Sequence, residues 1–394
     1  MLLVAHFSAD DHMSNDRFTD LATRFQSSGM EVELVTSSFS HVRKQQRTWE
    51  YGPLAFKRTL IAEPGYRTNV SFTRLLSHRV MANKLSNFLQ RRARPDLIYC
   101  AVPSLAVGQV VARYARRHQI PLVIDIQDLW PEAFQLALPT QGASVLFAPM
   151  SRLADYIYRN ADMVVAVSAS YAARAAPRPG VPAHVLYLGT DLATFDAWAD
   201  PRRDPRLSEE VRVAYVGTLG RSYDLNLVSD AISIAQSRTR KTIRLIVMGD
   251  GPRLQKFKAH AAGVGIRADF VGRLPYREMV ALLTSCDMAV NPIVPGAAAS
   301  VINKVADYGA ASLPVLNTQD HPEYRALLHQ YEAGINCRPG DASDLADSIV
   351  LLAEDLAECR RLGTGNRRLA EERFDRGATY PRTVDAVHHL LAQA

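Results

Sequence analysis

The chain has 394 residues, of which 47% are hydrophobic and 22% charged, and its formal net charge is +6. This composition excludes a disordered chain, a collagen and a coiled coil, and at roughly 150 residues per domain the length indicates two or three domains. The four cysteines lie far apart and form no Cys-x-x-Cys pair, so we expect a reducing compartment and no zinc site.

The start of the chain is predicted to be a β-strand and not a targeting segment. Residues 1–10 contain a short apolar run but neither a basic n-region nor a cleavage-like site. No run of 18 apolar residues follows anywhere, so no membrane-spanning helix is predicted. We therefore expect a cytoplasmic protein.

The positive charge is concentrated in the first half of the sequence. Residues 1–190 carry 21 basic and 14 acidic side chains, and residues 41–117 carry 15 basic and 3 acidic ones. Apolar residues interleave with the basic ones, and such a segment can rest on an anionic membrane, each Lys or Arg contributing on the order of 1 kcal/mol. A solvated, arginine-rich helical face is an equally weighted alternative. Nucleic acid is not expected, because no nucleic-acid motif accompanies the charge.

Short β-branched runs alternate with helical patterns along the chain. Strands are predicted at Leu2–Phe7, Glu31–Thr36, Leu97–Val102, Leu122–Ile126, Met163–Ser168, His184–Leu188, Arg212–Val216, Arg244–Met248, Ala268–Val271, Met288–Pro292, Pro314–Asn317 and Gly334–Cys337. Helices are predicted between many of them, for example at Arg17–Ser28, Leu105–Arg117, Leu225–Ser237, Arg253–Ala262, Tyr276–Thr284 and Ala342–Leu362. The alternation occurs twice and predicts two parallel sheets, each covered by helices on both faces.

A linker between the two halves is predicted at the Pro-rich, charged stretch 191–210. It separates a first domain, 1–190, from a second, 211–374. Residues 38–70 are predicted to be a long irregular excursion that faces an acceptor or a membrane. Two open α/β domains suit a ligand in a cleft between them. Three classes of protein offer such a cleft: a two-lobed glycosyltransferase, a periplasmic-type binding protein and a dinucleotide oxidoreductase. The binding protein would need a signal peptide, and the oxidoreductase would need a Gly-x-Gly-x-x-Gly after a strand; the sequence indicates neither.

Loops at strand ends of the second half carry most of the candidate chemistry. Gly217 lets backbone N–H groups approach an anion, and Arg221 can pair with a phosphate. Gly249 opens a second glycine turn, and the backbone at Arg273 and Leu274 can hydrogen-bond a nucleobase edge. The alternatives are ordinary strand-to-helix turns and connectors.

The loop after the predicted strand ending at Pro292 is the most informative. A helix is predicted to follow it from Val301. The amides of Ser300–Ile302 would suit a diphosphate, and Lys304 would supply a point charge. Asp307 would accept hydrogen bonds from ribose hydroxyls. The alternative is an ordinary ion pair on a helix surface.

In the first half, Gln127 and Asp128 follow the strand predicted at Leu122–Ile126, which places them at its carboxyl end. Asp128 would orient a sugar or an acceptor hydroxyl there, or else cap the following turn. No metal site is expected, since the adjacent pair His388-His389 fits a solvated C-terminal helix.

In their order and spacing, these motifs resemble a retaining glycosyltransferase of family 4 with the GT-B fold, two Rossmann-like doubly wound parallel-sheet domains facing across a cleft. The resemblance spans nearly the whole chain, at Asn15–Phe18, Gly29–Ser38, Asp125–Glu132, Ala161–Ser168, Leu188–Asp191, Val216–Asp224, Gly249–Pro252, Val271–Pro275 and Ser300–Val315. The sequence is most similar to the bacterial subgroup that builds capsule, exopolysaccharide or O-antigen repeats.

The resemblance implies a role for each candidate residue. The donor-binding candidates are Gly217, Thr218, Leu219, Gly249, Arg273, Leu274, Ser300, Val301, Ile302, Asn303, Lys304 and Asp307. The catalytic candidates are Lys304, Arg221, Asp128 and Gln127. The acceptor-side candidates are Ser14, Asn15 and Arg17. A C-terminal helix at about 375–394 would pack back on the first domain, and no metal or cofactor is implied.

Three departures from the family pattern bear on these roles. The family's Glu-x7-Glu pair corresponds to Ala299 and Asp307, so the first carboxylate is missing. Gln127 stands where many members have His. The common Lys-Gly after the first strand of the second domain is absent, and Arg221 is the candidate substitute.

The resemblance implies transfer of a sugar from a nucleotide diphosphate donor, UDP favoured, to a polyprenyl-diphosphate-linked saccharide at the inner face of the plasma membrane. Catalysis would be electrostatic, with Lys304 and Arg221 stabilising the departing diphosphate. The alternatives are a GDP-mannose-dependent mannosyltransferase, a sugar-nucleotide epimerase or hydrolase, and a catalytically inactive scaffold of the same fold.

Overall fold

The computed structural model describes residues 1–8, 16–47, 54–68, 71–133, 143–175, 179–200, 209–297 and 300–393, with the side chains of all but 143–146. The chain divides into two compact units, Met1–Leu186 with Tyr380–Ala394, and Tyr187–Thr379. Each unit contains one large parallel β-sheet, which confirms the predicted fold class.

The sheet of the first unit has seven parallel strands in the order β5-β2-β1-β6-β7-β8-β9. The strands of this unit are β1 (Leu2–Val4), β2 (Glu33–Ser37), β3 (Phe39–Ser40), β4 (Gln45–Gln46), β5 (Lys57–Ile61), β6 (Ile98–Val102), β7 (Leu122–Ile126), β8 (Met163–Ala166) and β9 (Ala183–Val185). Strands β3 and β4 form a separate antiparallel hairpin after the carboxyl end of β2. The central strands β1, β6, β7 and β8 are buried along their length, because helices cover both faces of the sheet.

Helices of the first unit begin at side-chain caps. Asp16 accepts hydrogen bonds from the backbone N–H groups of Phe18 and Thr19, and Ser104 caps a later helix in the same way. The helices are α1 (Arg17–Ser27), α2 (Phe72–Arg91), α3 (Leu105–His118), α4 (Ala143–Arg159) and α5 (Ala169–Ala175). The C-terminal helix (Arg376–Gln393) adds Tyr380, Val384 and Val387 to the core of this unit.

The sheet of the second unit has six parallel strands in the order β12-β11-β10-β13-β14-β15. Its strands are β10 (Glu210–Val216), β11 (Thr242–Met248), β12 (Arg267–Gly272), β13 (Met288–Asn291), β14 (Val315–Asn317) and β15 (Gly334–Asn336). Its helices are α6 (Leu192–Trp198), α7 (Leu225–Gln236), α8 (Leu254–Gly263), α9 (Tyr276–Thr284), α10 (Lys304–Ala310), α11 (Pro322–Tyr331), α12 (Ala342–Glu354) and α13 (Leu356–Leu369), followed by a π-helical turn (Ala370–Phe374). Alternate residues of β10 and β11 belong to two hydrophobic clusters, one on each face of the sheet.

Two predicted irregular segments contain regular structure. Residues 38–70 include β5, which pairs in parallel with β2. The sequence conceals this strand because it lies at the sheet edge and most of its side chains are not buried. The predicted linker 191–210 begins with α6, whose Leu192 and Phe195 are buried in the core of the second unit. The division between the units follows Leu186 instead.

The segment 342–362, predicted to be one helix, consists of α12 and the start of α13. Asp355 separates them and accepts a hydrogen bond from the backbone N–H of Glu358 (2.9 Å), which makes it the N-cap of α13. In the part of the chain that the structure describes, no helix combines the length and the apolar character needed to cross a membrane.

Candidate active site

Lys304, the first residue of α10, is a buried lysine of the second unit. It is 8% exposed, and its Nζ lies 4.0 Å from the ring centroid of Tyr215 and 3.7 Å from that of Tyr223. Among the described residues, this Nζ has no hydrogen-bond partner. Burial lowers the pKa of Lys304 well below its ordinary value. An anion that reached the amino group would therefore stabilise its charged form.

Gly217, just after β10, leaves space beside this amino group. A Cβ at Gly217 would lie 2.8 Å from Lys304 Nζ, closer than real Cβ atoms approach, and the φ of +135° also disfavours any other residue. The backbone of Gly249 packs directly against that of Gly217. A Cβ at Gly249 would lie 1.8 Å from the Gly217 oxygen, so only glycine fits there. The two glycine loops predicted from the sequence therefore lie together, next to Lys304.

The rest of the β10 loop divides into buried support and exposed surface. Leu219 is fully buried, its N–H donates to the Asp250 oxygen (2.9 Å), and its oxygen accepts from the Arg253 N–H (3.0 Å). Thr218 and Arg221 are exposed. Leu219 therefore holds the loop in place, whereas Thr218 and Arg221 present their side chains to solvent.

Asp307, one turn after Lys304 on α10, lies in a different environment. Its Oδ1 accepts a hydrogen bond from Tyr276 Oη (2.7 Å), which lies 2.6 Å from Thr190 Oγ1. Burial raises the pKa of Asp307 to about 6, although these hydroxyls and the charge of Arg376 oppose the rise. Lys304 and Asp307 are thus both buried with separate neighbours, and they do not form the surface ion pair considered from the sequence.

Helix α10 begins at Lys304, three residues later than predicted. The Ser300 oxygen accepts a hydrogen bond from Gln319 Nε2 (2.8 Å), which holds Ser300 in the preceding loop. Val301 is buried in the core, Ile302 is half-buried, and Asn303 is exposed. The amides of Ser300–Ile302 therefore belong to the loop. Ala299, the position of the missing family carboxylate, lies outside the described residues.

A chain of amide side chains connects the carboxyl ends of β13, β14 and β15 with this loop. Asn291 Nδ2 donates to Asn317 Oδ1 (2.8 Å) and to Gln319 Oε1 (3.1 Å). Asn317 Nδ2 donates to Asn336 Oδ1 (2.9 Å). Because Gln319 also donates to Ser300, these amides fix the loop that leads to Lys304. The sequence analysis missed them.

Arg273 and Leu274 follow β12, at the edge of the same sheet. Arg273 is exposed and Leu274 is half-buried against the core. Their strand is joined to the glycine loops, because the Gly249 N–H donates to the Gly272 oxygen (2.8 Å). The loops after β10, β11 and β12 are therefore neighbours, as the candidate donor site requires.

In the first unit, Arg17 and Gln127 meet at Asp125, a residue of β7 that the sequence analysis did not single out. Arg17 donates to both oxygens of Asp125 (3.0 and 3.2 Å), Tyr99 Oη donates at 2.7 Å, and Gln127 Nε2 donates at 2.6 Å. Arg17 is 3% exposed. Arg17 is therefore a core residue and not the acceptor contact predicted, because it neutralises a carboxylate inside the sheet.

Asp128 lies after β7 and accepts hydrogen bonds from Trp130 Nε1 (3.3 Å) and Tyr171 Oη (3.3 Å). Burial raises its pKa above the ordinary value. The other two acceptor-side candidates, Ser14 and Asn15, lie outside the described residues. Nowhere in the described part of the chain are three His, Cys, Asp or Glu side chains grouped to hold a metal ion.

Family comparisons match both units. Residues 14–190 match the family described as Glycosyl transferase 4-like domain, and residues 210–355 match Glycosyl transferases group 1. The two matches follow each other along the chain, together span most of it, and correspond in order to the two sheet units. With the two parallel-sheet units, they define the chain as a glycosyltransferase of the GT-B type.

Among individual proteins, the chain is similar to one described as "Probable glycosyltransferase WbjE" from Pseudomonas aeruginosa, at 23% identity over 282 residues and 69% of each chain. The crystal structure of Anabaena HepE in complex with UDP and glucose matches with a TM-score of 0.70 at 15% identity, covering 98% of this chain and 99% of that one. Sucrose-phosphate synthase from Thermosynechococcus elongatus matches with a TM-score of 0.72 at 16% identity, covering 100% and 99%.

Proposed function

We propose that the chain is a retaining, metal-independent glycosyltransferase that moves a sugar from a nucleotide diphosphate donor, UDP-sugar favoured, to a polyprenyl-diphosphate-linked saccharide in cell-surface polysaccharide synthesis. The observation that carries the proposal is the buried amino group of Lys304, which has no hydrogen-bond partner among the described residues and lies beside Gly217. A diphosphate supplies the oxyanions that this amino group lacks. The donor therefore binds to the second unit.

In the proposed reaction, electrostatic stabilisation of the leaving nucleoside diphosphate drives catalysis. As the bond from the sugar to the phosphate breaks, negative charge grows on the phosphate oxygen, and Lys304 and Arg221 stabilise it. Asp307 accepts hydrogen bonds from the ribose, and Arg273 and Leu274 flank the base. The acceptor hydroxyl attacks the face that the diphosphate leaves, and the departing phosphate takes its proton. No protein nucleophile is needed.

Two observations support UDP as the nucleotide and a membrane as the place of reaction. The structural neighbour HepE was solved with UDP and glucose. In the first unit, the first turns of α2 expose Phe72 (89%), Leu75 (51%) and Leu76 (60%) on one face, and the exposed Arg79 follows one turn later. An apolar face beside basic side chains suits the surface of an anionic bilayer, where a lipid-linked acceptor resides. We accordingly place the enzyme on the inner face of the plasma membrane.

Thermal unfolding in the presence of UDP, GDP, ADP and TDP tests the donor assignment. A nucleotide at about 100 times its dissociation constant stabilises by roughly 2.7 kcal/mol, which raises the midpoint by a few degrees. We expect UDP to raise it most. The Lys304→Met variant should lose this response. A shift with GDP alone would favour a mannosyltransferase, and no shift with any nucleotide would overturn the proposal.

The same preparation separates transfer from the alternative reactions. With UDP-sugar and a lipid-linked acceptor, UDP release should depend on the acceptor and yield an elongated lipid. Release of a free sugar or an epimerised nucleotide sugar without acceptor would instead identify a hydrolase or an epimerase. Nucleotide binding with no turnover on any acceptor would identify an inactive scaffold.

A further inference from the structure

A cluster of ionisable and aromatic side chains lies after the carboxyl ends of β1, β2 and β5 in the first unit, and the mechanism above uses none of it. At its base, His6 Nε2 lies 2.8 Å from Glu63 Oε1, and Ser77 Oγ donates to Glu63 Oε2 (2.6 Å). Ser37 Oγ donates to Glu63 as well. Burial raises the pKa of Glu63, but the contacts with His6, Ser37 and Ser77 outweigh burial and lower it to about 2. Both oxygens of this ionised carboxylate are therefore occupied.

Two cations lie among aromatic rings in the same cluster. Arg74 Cζ is 4.7 Å from the ring centroid of Trp130 and 5.5 Å from that of Tyr66. Lys44 Nζ is 4.8 Å from the ring centroid of Tyr66 and 3.4 Å from His41 Nδ1. Burial and the charge of Arg74 lower the pKa of Lys44 to about 8. The two cations thus repel each other across the Tyr66 ring.

The histidines of the cluster add ring surface and little charge. Burial, with the charges of Lys44 and Arg74, lowers the pKa of His41 to about 3, and burial lowers that of His78 to about 2. Both imidazoles are therefore neutral at pH 7. The ring of His78 stacks on Trp130 with centroids 5.8 Å apart. Both rings are buried, His78 at 3% and Trp130 at 5% exposure, so they belong to the packed interior of the cluster.

A cavity of about 490 Å³ lies between the β3–β4 hairpin and the segment after β5. Its lining includes Lys44, Gln46, Tyr66, Arg67 and Thr73. The described residues that line it include two cations, the rings of Phe39 and Tyr66, hydroxyls and amides, but no carboxylate. This volume falls within the range of small-molecule sites.

From this juxtaposition we infer that the cavity beside Tyr66 binds an oxyanion carried by the acceptor saccharide, either the carboxylate of an acidic sugar or a phosphate attached to a sugar. Lys44 and Arg67 pair with the oxyanion, and Tyr66 forms part of the cavity wall beside them. Arg74, which lies between the rings of Tyr66 and Trp130, is a third cation close to the cavity. The inference rests on the proposed function in naming the class of acceptor, and it adds a recognition site to the first unit.

Saturation-transfer NMR titrations with three simple sugars test the site. Glucuronate represents an acidic sugar, glucose 1-phosphate represents a glycosyl phosphate, and glucose is the neutral control. We expect one or both anions to bind at least tenfold more tightly than glucose, and the stronger one identifies the source of the oxyanion. Equal binding of all three sugars, or no binding of either anion, would overturn the inference.

Matched variants separate a built site from general surface attraction. The double variant Lys44→Asn, Arg67→Gln removes the two lining cations, and Asn suits the φ of 56° at Lys44. Arg43→Gln is the control, because Arg43 is exposed on the same hairpin and does not line the cavity. The double variant should weaken anion binding about tenfold or more and Arg43→Gln less than twofold. An equal loss in both would overturn the inference.

The UDP-induced rise in unfolding temperature distinguishes this inference from the proposed function. It should be unchanged in the double variant, because the donor candidates lie on the second unit. If the anions bind as expected and no nucleotide does, the proposed function fails while the oxyanion site stands. If UDP binds and the three sugars are not distinguished, the oxyanion site fails alone.

Discussion

The carboxyl edges of the two sheets hold their buried charges in opposite ways. In the first unit, Glu63 is ionised and both of its oxygens accept or share hydrogen bonds with His6, Ser37 and Ser77. In the second unit, Lys304 lies against two tyrosine rings with no hydrogen-bond partner among the described residues. A buried charge whose hydrogen bonds are satisfied stabilises the fold. A buried charge without a hydrogen-bond partner destabilises the fold until a ligand binds to it.

The difference separates residues that organise a site from residues that bind its ligand. The Glu63 network ties β1, β2, β5 and α2 together, so its side chains are already committed. The Lys304 site consists of a cation, a glycine that lacks a side chain, and loops joined through their backbones. Such an arrangement leaves the strongest interaction to the ligand. Substitutions in the Glu63 network should therefore affect the stability of the fold, whereas substitutions at the Lys304 site should affect ligand binding.

Lys304→Met should have the largest effect, and it should fall on function. Removing a cation that stabilises a developing oxyanion costs about 10²–10³-fold in turnover, and UDP affinity should fall about ten- to a hundredfold. The free protein should not lose stability, because the substitution removes a buried amino group without a hydrogen-bond partner. Calorimetric titration with UDP and thermal unfolding measure both effects.

Lys258→Met is the matched control for this variant. Lys258 is exposed, and its Nζ lies 5.8 Å from the ring centroid of Phe270 in the same unit. Its replacement should leave UDP affinity unchanged. If Lys304→Met bound UDP as tightly as the unaltered protein does, the assignment of Lys304 to the donor site would be wrong.

Glu63→Gln should produce the converse result, a loss of stability of about 3 kcal/mol with UDP affinity preserved. The pKa of Glu63 is lowered from 4.5 to about 2 in the folded chain, so its stabilising contribution is present above pH 4.5 and is lost as the pH falls toward 2. The difference in free energy of unfolding between the variant and the unaltered protein should therefore become smaller as the pH falls from 4.5 towards 2. Urea unfolding at pH 7 and at pH 3 measures it, with the exposed Glu31→Gln as control. A pH-independent difference would contradict this account of Glu63.

Asp307→Asn should show the opposite dependence on pH. Burial raises the pKa of Asp307 from 3.8 to about 6, so the unaltered protein keeps this contribution below pH 3.8 and loses it as the pH rises through 6. Relative to the unaltered protein, the free energy of unfolding of the variant should rise by on the order of 2–3 kcal/mol between pH 4 and pH 7. Unfolding of both proteins across that range tests the sign. A variant that lost relative stability as the pH rose would show that Asp307 is favourably ionised in the fold.

The alternation of apolar strands and helices predicted both sheets from the sequence, because a parallel strand covered on both faces must be a continuous apolar run. Edge strands have no such requirement, so Lys57–Ile61 was missed. A carboxylate within a buried run does carry a signal. Asp125 inside β7 needs a buried cation, and the structure identifies that cation as Arg17.

At the candidate site, the residues that the sequence could supply were those with local signatures. Gly217 and Gly249 follow strands directly, and Lys304 follows a small-residue loop. The tyrosines around Lys304 and the amide of Gln319 have no local signature, since their contacts join segments far apart in the sequence. Their roles follow from tertiary packing, which only the structure provides.

Gln319→Leu should give the smallest of these effects. It tests whether the Lys304 site depends on the position of the loop that precedes Lys304. Gln319 connects the buried amides to Ser300 through a hydrogen bond of 2.8 Å. Its loss should release the loop before Lys304 and lower turnover about tenfold, while UDP affinity falls less. Gln236→Leu is the matched control, because Gln236 Nε2 also donates to a backbone oxygen at 2.8 Å, but next to the amino end of β11. If both variants lowered the unfolding temperature equally and left turnover unchanged, the amide side chains would only stabilise the fold. Catalysis by Lys304 would then not depend on how the preceding loop is held.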